Sequence, residues 1–257
     1  MPDSLGSKIR FFRNRYGISQ FDLETEIDAS AGTLSRIENN EVNPLKETIL
    51  KISKILKLSN EEIDYLIGIT AIPAAESEIN AAIIEASDEL NKENKLCYVL
   101  DDRWRLIKFS DAFVKFLYLS QDEVRNMIGK TTAQLIVQEN SPLLERLNKT
   151  YYKELLEGYL PIYYSNLSFM NEDPIYKDTV RDIENNHIAS NIWKSISSNV
   201  DRSYTPEENR MLLFCIHGKD IPLFYSIQPL RINSRFVIVE YHTENKVSEI
   251  LTGLVNN

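Results

Sequence analysis

The joint between two predicted helices is only two residues long, and it constrains this chain more than any other feature. Gln20 to Ile27 turns Leu23 and Ile27 to one side, and about Ala31 to Glu38 does the same with Leu34 and Ile37, with Ser30 as the cap of the second helix. Only Asp28 and Ala29 lie between them, and a connection that short makes the two helices cross steeply. Around this pair the spacing predicts three more helices. Leu5, Ile9, Phe12 and Tyr16 form a stripe that stops at Gly17. Ile49, Ile52 and Leu56 line a helix after the Asn39-Asn40 turn and Pro44, and Ser59 with Glu62 is a capping box for a last one that buries Ile63, Leu66 and Ile67.

The order Ile18-Ser19-Gln20, Leu23, Ser30, Thr33-Leu34-Ser35-Arg36-Ile37-Glu38, Asn43-Pro44 and Glu47 to Leu56 resembles the Cro and phage-repressor (XRE) family of helix-turn-helix domains over about residues 5 to 70. The resemblance implies double-stranded operator DNA as partner. It also implies a third helix lying in the major groove, with Ala31, Gly32, Ser35 and Arg36 toward base edges and Gln20, Thr33, Asn39 and Asn43 toward phosphates, Ser30 standing at the start of that helix. Arg36 is the one long donor among the base readers. Three positions depart from the family: Asp28 and Asn40 stand where Gly is usual, and Glu24 where Ala is usual. Asp and Asn tolerate a left-handed backbone. Glu24 is harder to place, because a small residue there lets the two helices approach.

Charge restricts how such a domain could bind. The chain carries a net −9, so DNA binding has to be local; residues 1 to 20 supply Lys8, Arg10, Arg13 and Arg15 against the single acid Asp3. There is no apolar run long enough to span a membrane and no signal-peptide pattern at the N-terminus, so the expected compartment is the cytoplasm. Cys97 and Cys215 are read as free thiols.

At 257 residues there is room for a second domain. Residues 73 to 95 predict an amphipathic connector helix with Ile79, Ile83, Ala86 and Leu90 on one face, which either covers the chain's own following domain or seams a dimer. From 96 on, the pattern predicts two short strands around Asp101-Asp102-Arg103, a helix with Phe113, Phe116 and Leu117 on one side, a capping box at Ser120 and Glu123, and an Ile128-Gly129-Lys130 step. A long helical stretch follows, with Leu143, Leu147, Tyr151 and Leu155 on one face of a helix opened by Ser141-Pro142, helical spacing from Ile175 to Ile196, and a further helix start at Thr205-Pro206. Three strands close the chain: 211–217, 221–230 and 235–241.

Hairpin, short helices and the Ile-Gly-Lys step resemble a PAS sensor domain. Asp102 to Phe113, the helix from Ile183 to Ser195, Phe224 to Arg231 and Val237 to Tyr241 resemble more closely the MmyB-like regulators, in which an XRE domain precedes a PAS-like domain. The chain departs from them at Ser110, where Asn is usual, and in lacking an Arg-rich insert. The expected fold class is thus multidomain: an all-α helix-turn-helix domain of five helices (1–72), a connector helix (73–95), and an α+β PAS-like domain (96–257) with a five-stranded antiparallel sheet and a helical insert. The resemblance implies a bound fatty acid or other small apolar ligand, and alternation places Phe109, Phe113, Trp193, Tyr225, Ile227, Val239 and Tyr241 around it.

No metal cluster, phosphate loop or nucleophile motif appears, so no catalysis is expected, and His187 is the candidate if a haem were held. The function expected is a ligand-responsive homodimeric transcription regulator. The rival is a regulator whose second domain only docks a partner or dimerises.

Overall fold

The structure is a computed structural model that describes residues 4–198 and 211–243; the helix start expected at Thr205-Pro206 lies outside the described residues. The chain divides into two compact units, Met1–Pro73 and Ala74–Asn257.

The first unit holds five helices: α1 Leu5–Tyr16, α2 Gln20–Glu26, α3 Thr33–Glu38, α4 Lys46–Ile55 and α5 Asn60–Leu66. Each expected apolar stripe supplies its core, with Ile9, Phe12, Leu23, Ile27, Leu34, Ile37, Ile52, Leu56 and Leu66 all buried. Ile67 is the exception; it is exposed, and Tyr65 takes the inward place one turn position away, under the Lys8 ammonium. Ser19 and Ser59 cap α2 and α5 as their spacing predicts, the latter in a complete capping box.

The second unit opens with α6 Glu76–Glu85 and α7 Ser87–Leu90, a shorter and broken version of the predicted connector helix. Ile79, Ala82, Ile83, Ala86 and Leu90 are packed against Cys97, Val99, Ile107, Phe236 and Ile238. The apolar stripe is therefore buried on the sheet of its own unit.

That sheet is antiparallel and five-stranded, in the order β2-β1-β5-β4-β3, with β1 Leu96–Leu100, β2 Leu106–Phe109, β3 Met211–Ile216, β4 Lys219–Pro229 and β5 Val237–His242. His217 and Gly218, both left-handed, make the two-residue turn between β3 and β4. The Ile-Gly-Lys step docks on the free edge of β2: Gly129 donates to the Leu106 carbonyl and Leu106 to that of Lys130, each at 2.8 Å.

Between β2 and β3 run α8 Asp111–Phe116, α9 Gln121–Met127, α10 Thr132–Val137, α11 Pro142–Arg146, α12 Tyr152–Leu167, α13 Pro174–Asn185 and α14 His187–Ser198. The single helix expected after Ser141-Pro142 is two, because Leu147 leaves helical geometry to bridge Phe214 on β3, and Asn148 donates to the Leu213 carbonyl. Ser110, the departure from the expected Asn, is fully buried; its hydroxyl donates to Lys95 O and accepts from Cys97 N–H and Phe113 N–H, capping α8.

A line of charges crosses this unit. Arg235, in the β4–β5 loop, meets Glu78 of α6 at 3.0 Å and Asp102 of the β1–β2 turn at 2.8 Å. Asp102 meets Arg103 at 2.9 Å, and the buried Arg103 meets Asp173, the cap of α13, at 3.0 Å. Burial alone would lower the Arg103 pKa, but Asp102 and Asp173 outweigh it and raise it, so the guanidinium stays charged.

Candidate nucleic-acid interface

The turn between α2 and α3 is closed by backbone geometry that suits an Asp. Asp28 is left-handed at φ 56°, its N–H donates to Thr25 O, and Ala29 N–H donates to Glu24 O at 2.9 Å, the pattern that ends a helix in a Schellman motif. Asn40 repeats it after α3 at φ 60°, with Asn40 N–H on Ile37 O and Glu41 N–H on Arg36 O. Both residues stand where a Gly was expected, and each adopts the backbone that Gly would supply.

The start of α3 differs from the sequence expectation. The helix begins at Thr33 rather than Ala31, its cap is Gly32 at φ 79°, and no cap side chain accepts from its first turn. Ser30 is exposed and contributes its carbonyl to Thr33 N–H instead of its hydroxyl to the helix. Glu24 fills the gap. Buried to 5% exposure, it accepts from Leu34 N–H at 2.7 Å and from Gly32 N–H at 3.1 Å. The acid that looked too large for its site is the cap of the following helix, a role invisible to helical spacing.

The other end of α3 is fixed by Glu38, 2% exposed. Arg13 Nε and Nη2 donate to its two oxygens at 2.6 and 3.1 Å, Arg10 Nε reaches it at 3.3 Å and Gln20 Nε2 at 2.7 Å. Burial raises its pKa, but the bonds from Arg13, Gln20 and Arg10 outweigh it and hold the carboxyl below its ordinary value. Close approach of α1 and α3 depends on Gly6, where a Cβ would meet the Ile37 carbonyl oxygen at 2.3 Å.

Of the residues expected to face DNA, Ser30, Ala31, Gly32, Arg36, Asn39 and Asn43 are exposed, and Gln20, Thr33 and Ser35 are half-buried. The Gln20 amide nitrogen is committed to Glu38, and the Asn39 side-chain oxygen accepts from Arg10 at 2.6 Å. Among the described residues no hydrogen bond or ion pair engages the Arg36 guanidinium.

The N-terminal basic excess is mostly spent inside the domain. Lys8 is buried, donating to Tyr65 O at 2.8 Å; Arg13 is on Glu38, and Arg15 is paired with Glu62. Spacing gave no sign of this, because the acids that consume these charges lie far along the chain.

The residues expected to line a ligand site separate into two places. Phe109, Phe113, Tyr225 and Tyr241 come together with Tyr98 and Phe214 in a continuous ring cluster, Phe113 stacking on Tyr241 at 5.1 Å. Val239 is buried on the same strand as Tyr241, and Ile227 is 38% exposed at the margin. Trp193 lies apart, against Tyr163 and Tyr164 of α12. Among the described residues, a space between α12 and β3–β4, near Tyr159, Met211 and Tyr225, is about 20 Å³, room for little more than one water.

Hydroxyls do meet inside that cluster. Tyr98 and Tyr241 hydroxyls are 3.2 Å apart, and Tyr159 bonds Thr132. Burial raises the pKa of Tyr98, Tyr159 and Tyr241, keeping all three protonated. Burial also pushes the Cys97 thiol up to about 11, which leaves it unreactive; Cys215 is likewise a free thiol. His187 is exposed on α14. Among the described residues no group of three His, Cys, Asp or Glu could hold a metal, and no helix is long and apolar enough to cross a membrane.

Two short helices joined through a left-handed turn on a five-helix scaffold, the second presenting an exposed polar residue, Arg36, define a helix-turn-helix head. Residues 9–63 match the helix-turn-helix family. The chain is also 28% identical over 112 residues to "HTH-type transcriptional regulator ImmR" of Bacillus subtilis (strain 168), an overlap covering 41% of this chain and 86% of that protein. The N-terminal unit is thus an XRE-type helix-turn-helix domain.

Proposed function

We propose that this chain is a cytoplasmic transcription regulator that binds operator DNA as a homodimer. Each head lays α3 in the major groove, the two half-sites about one helical turn, roughly 34 Å, apart. The observation that carries the reading is that Ala31 and Gly32, in the turn that opens α3, and Arg36 on α3 are exposed, while Leu34, Ile37 and Glu38 anchor the helix on its opposite side. Arg36 makes the bidentate base contact, Ser35 assists it, and Thr33, Asn39 and Asn43 hold phosphates. Gln20 contributes by holding Glu38, and reaches the backbone only through what its amide has left. Selection of duplexes from a random library tests this: enrichment of a two-fold symmetric sequence supports it, and failure to enrich any sequence removes it.

The C-terminal unit, with its PAS-like layout of two strands, a helical insert and three strands, is the sensor. In this reading a small apolar ligand of fatty-acid type enters between α12 and β3–β4, parting the ring cluster of Phe109, Phe113, Tyr225 and Tyr241, and the buried Tyr hydroxyls meet its polar end. A second reading is favoured by the closed interior: the unit works by its surface, as a dimerisation or protein-docking module without a small molecule. Native mass spectrometry of freshly purified protein separates them. A co-purified species of a few hundred daltons supports the first, and its reproducible absence the second.

A further inference from the structure

Helix α3 is six residues long, too short to hold itself, and its ends are fixed from outside. Glu38 ties the C-terminal end to α1 and α2 through Arg13 and Gln20. The N-terminal end is the one that meets bases in a helix-turn-helix, and the chain gives it no cap of its own. Two of the N–H groups at this end, those of Gly32 and Leu34, converge on Glu24. Its backbone carbonyl closes α2 on Ala29 N–H, and its carboxylate takes the N–H groups of Gly32 and Leu34. One residue thus ends one helix, starts the next and spans the left-handed turn between them. Its charge is met by backbone N–H groups, with no Lys or Arg partner among the described residues.

We propose that Glu24 is a positioning residue for sequence reading: it holds the Gly32 turn and so aims Ala31, Gly32, Ser35 and Arg36 at the bases. The inference rests on the operator-binding reading and adds to it the device that sets specificity. Its signature is an opposition of signs. Removing an acid from a DNA-binding head favours non-specific attraction, which follows charge. Releasing the first turn of α3 disfavours specific binding, which needs groups held within about 0.5 Å of the productive geometry.

The test uses the full chain, a duplex selected by the wild-type protein from a random library, and a scrambled duplex of the same composition. E24A is expected to bind the selected duplex about tenfold more weakly, the effect of a buried donor left unpaired, while its affinity for the scrambled one is unchanged or higher. Hydrogen exchange at the Gly32 and Leu34 amides quickens by a similar factor, while the Ile9 and Leu23 amides stay as slow as in wild type. E24Q, which keeps one acceptor oxygen but turns an amide toward a backbone donor, falls between in both readouts and carries the test if E24A does not fold. An E24A protein with the wild-type ratio of selected to scrambled affinity overturns the inference alone. Unchanged exchange at Gly32 and Leu34 does the same. Equal weakening on both duplexes overturns it too, since that is a loss of fold and not of aim. A wild-type protein that selects no sequence overturns the operator-binding reading first, and this inference with it.

Discussion

Buried charge serves opposite ends in the two units. In the head, Glu24 and Glu38 sit at the two ends of one short helix, and both exist to set a surface whose own polar groups are left open to solvent. In the C-terminal unit the charges run from α6 through Arg235, Asp102 and Arg103 to the cap of α13, tying distant elements together beside a closed aromatic interior. The head is therefore organised around an exposed face, and the C-terminal unit around its own cohesion. Part of such a surface can be altered without loss of fold, whereas an interior of this kind transmits any change to the elements that enclose it.

The largest effect should come from breaking the interior line. Arg103→Met leaves the buried Asp173 without its cation, while Asp102 keeps Arg235, and is expected to cost about 3–5 kcal/mol. Calorimetry should show the C-terminal transition lowered while the head keeps its own. Adding Asp173→Asn should restore part of the loss, because Asn still caps α13. A uniform drop in both transitions would show that the two units do not melt separately.

The same operation on the head should cost less, since Arg13 and Arg10 can turn toward water once their acid is gone. Glu38→Gln is expected to destabilise the head by about 2–3 kcal/mol. It also carries a pH signature. The Glu38 carboxyl is held below its unfolded value, so its contribution is full at neutral pH and is lost as pH falls past the ordinary carboxylate value and through the lower folded one. Burial raises the Asp101 carboxyl, so its contribution has the reverse sign: present in acid and lost as pH rises through its folded value. Acidification should therefore weaken the head in wild type, and Glu38→Gln should flatten that dependence in melts from pH 7 to 3.5.

These charges also mark the limit of what the sequence discloses. Helices, strands and caps follow from periods of a few residues, and so the existence of α1 to α5, the succession of strands along the chain and the boxes at Ser59 and Ser120 were legible, while the order of the strands within the sheet was not. The faces of α3 were legible too, since burial of Leu34 and Ile37 dictates exposure of Arg36. Long-range pairing is not written in a period. Nothing near Lys8, Arg13 or Arg15 announces Tyr65, Glu38 or Glu62, and a count of basic residues therefore overstated the charge available to phosphates. The interior of the C-terminal unit is the same problem in apolar form: alternation brings Phe113 and Tyr241 to one face, but only packing decides whether their rings enclose a space or fill it.

On the exposed face the effects should be smaller and confined to DNA. Arg36→Ala is expected to weaken operator binding by about 1–3 kcal/mol and to relax specificity at one base position, with melting unchanged. Because Lys8, Arg13 and Arg15 are engaged inside the head, the salt dependence should be shallow, with a slope of roughly −2 to −4 for the proposed dimer. A much steeper slope would mean that the paired arginines leave their acids on binding.

The smallest effect is expected at the outer flank of α6, and it bears on how two chains could join. Ile79, Ile83, Ala82 and Ala86 are spent on the sheet of their own unit, while Ile84 points the other way at 73% exposure. A seam between two copies of α6 would have Ile84 as its main apolar contact, too little for a stable dimer core. Ile84→Glu is accordingly expected to shift folding stability by no more than about 0.5 kcal/mol, and to leave the proposed dimer intact in sedimentation equilibrium. Ile83→Glu, one residue away and facing inward, should instead lower the C-terminal melt by burying a carboxylate. If Ile84→Glu yields monomers with an unchanged melt, α6 is the seam, and the contrast between an outward-acting head and a self-contained C-terminal unit no longer holds at that helix.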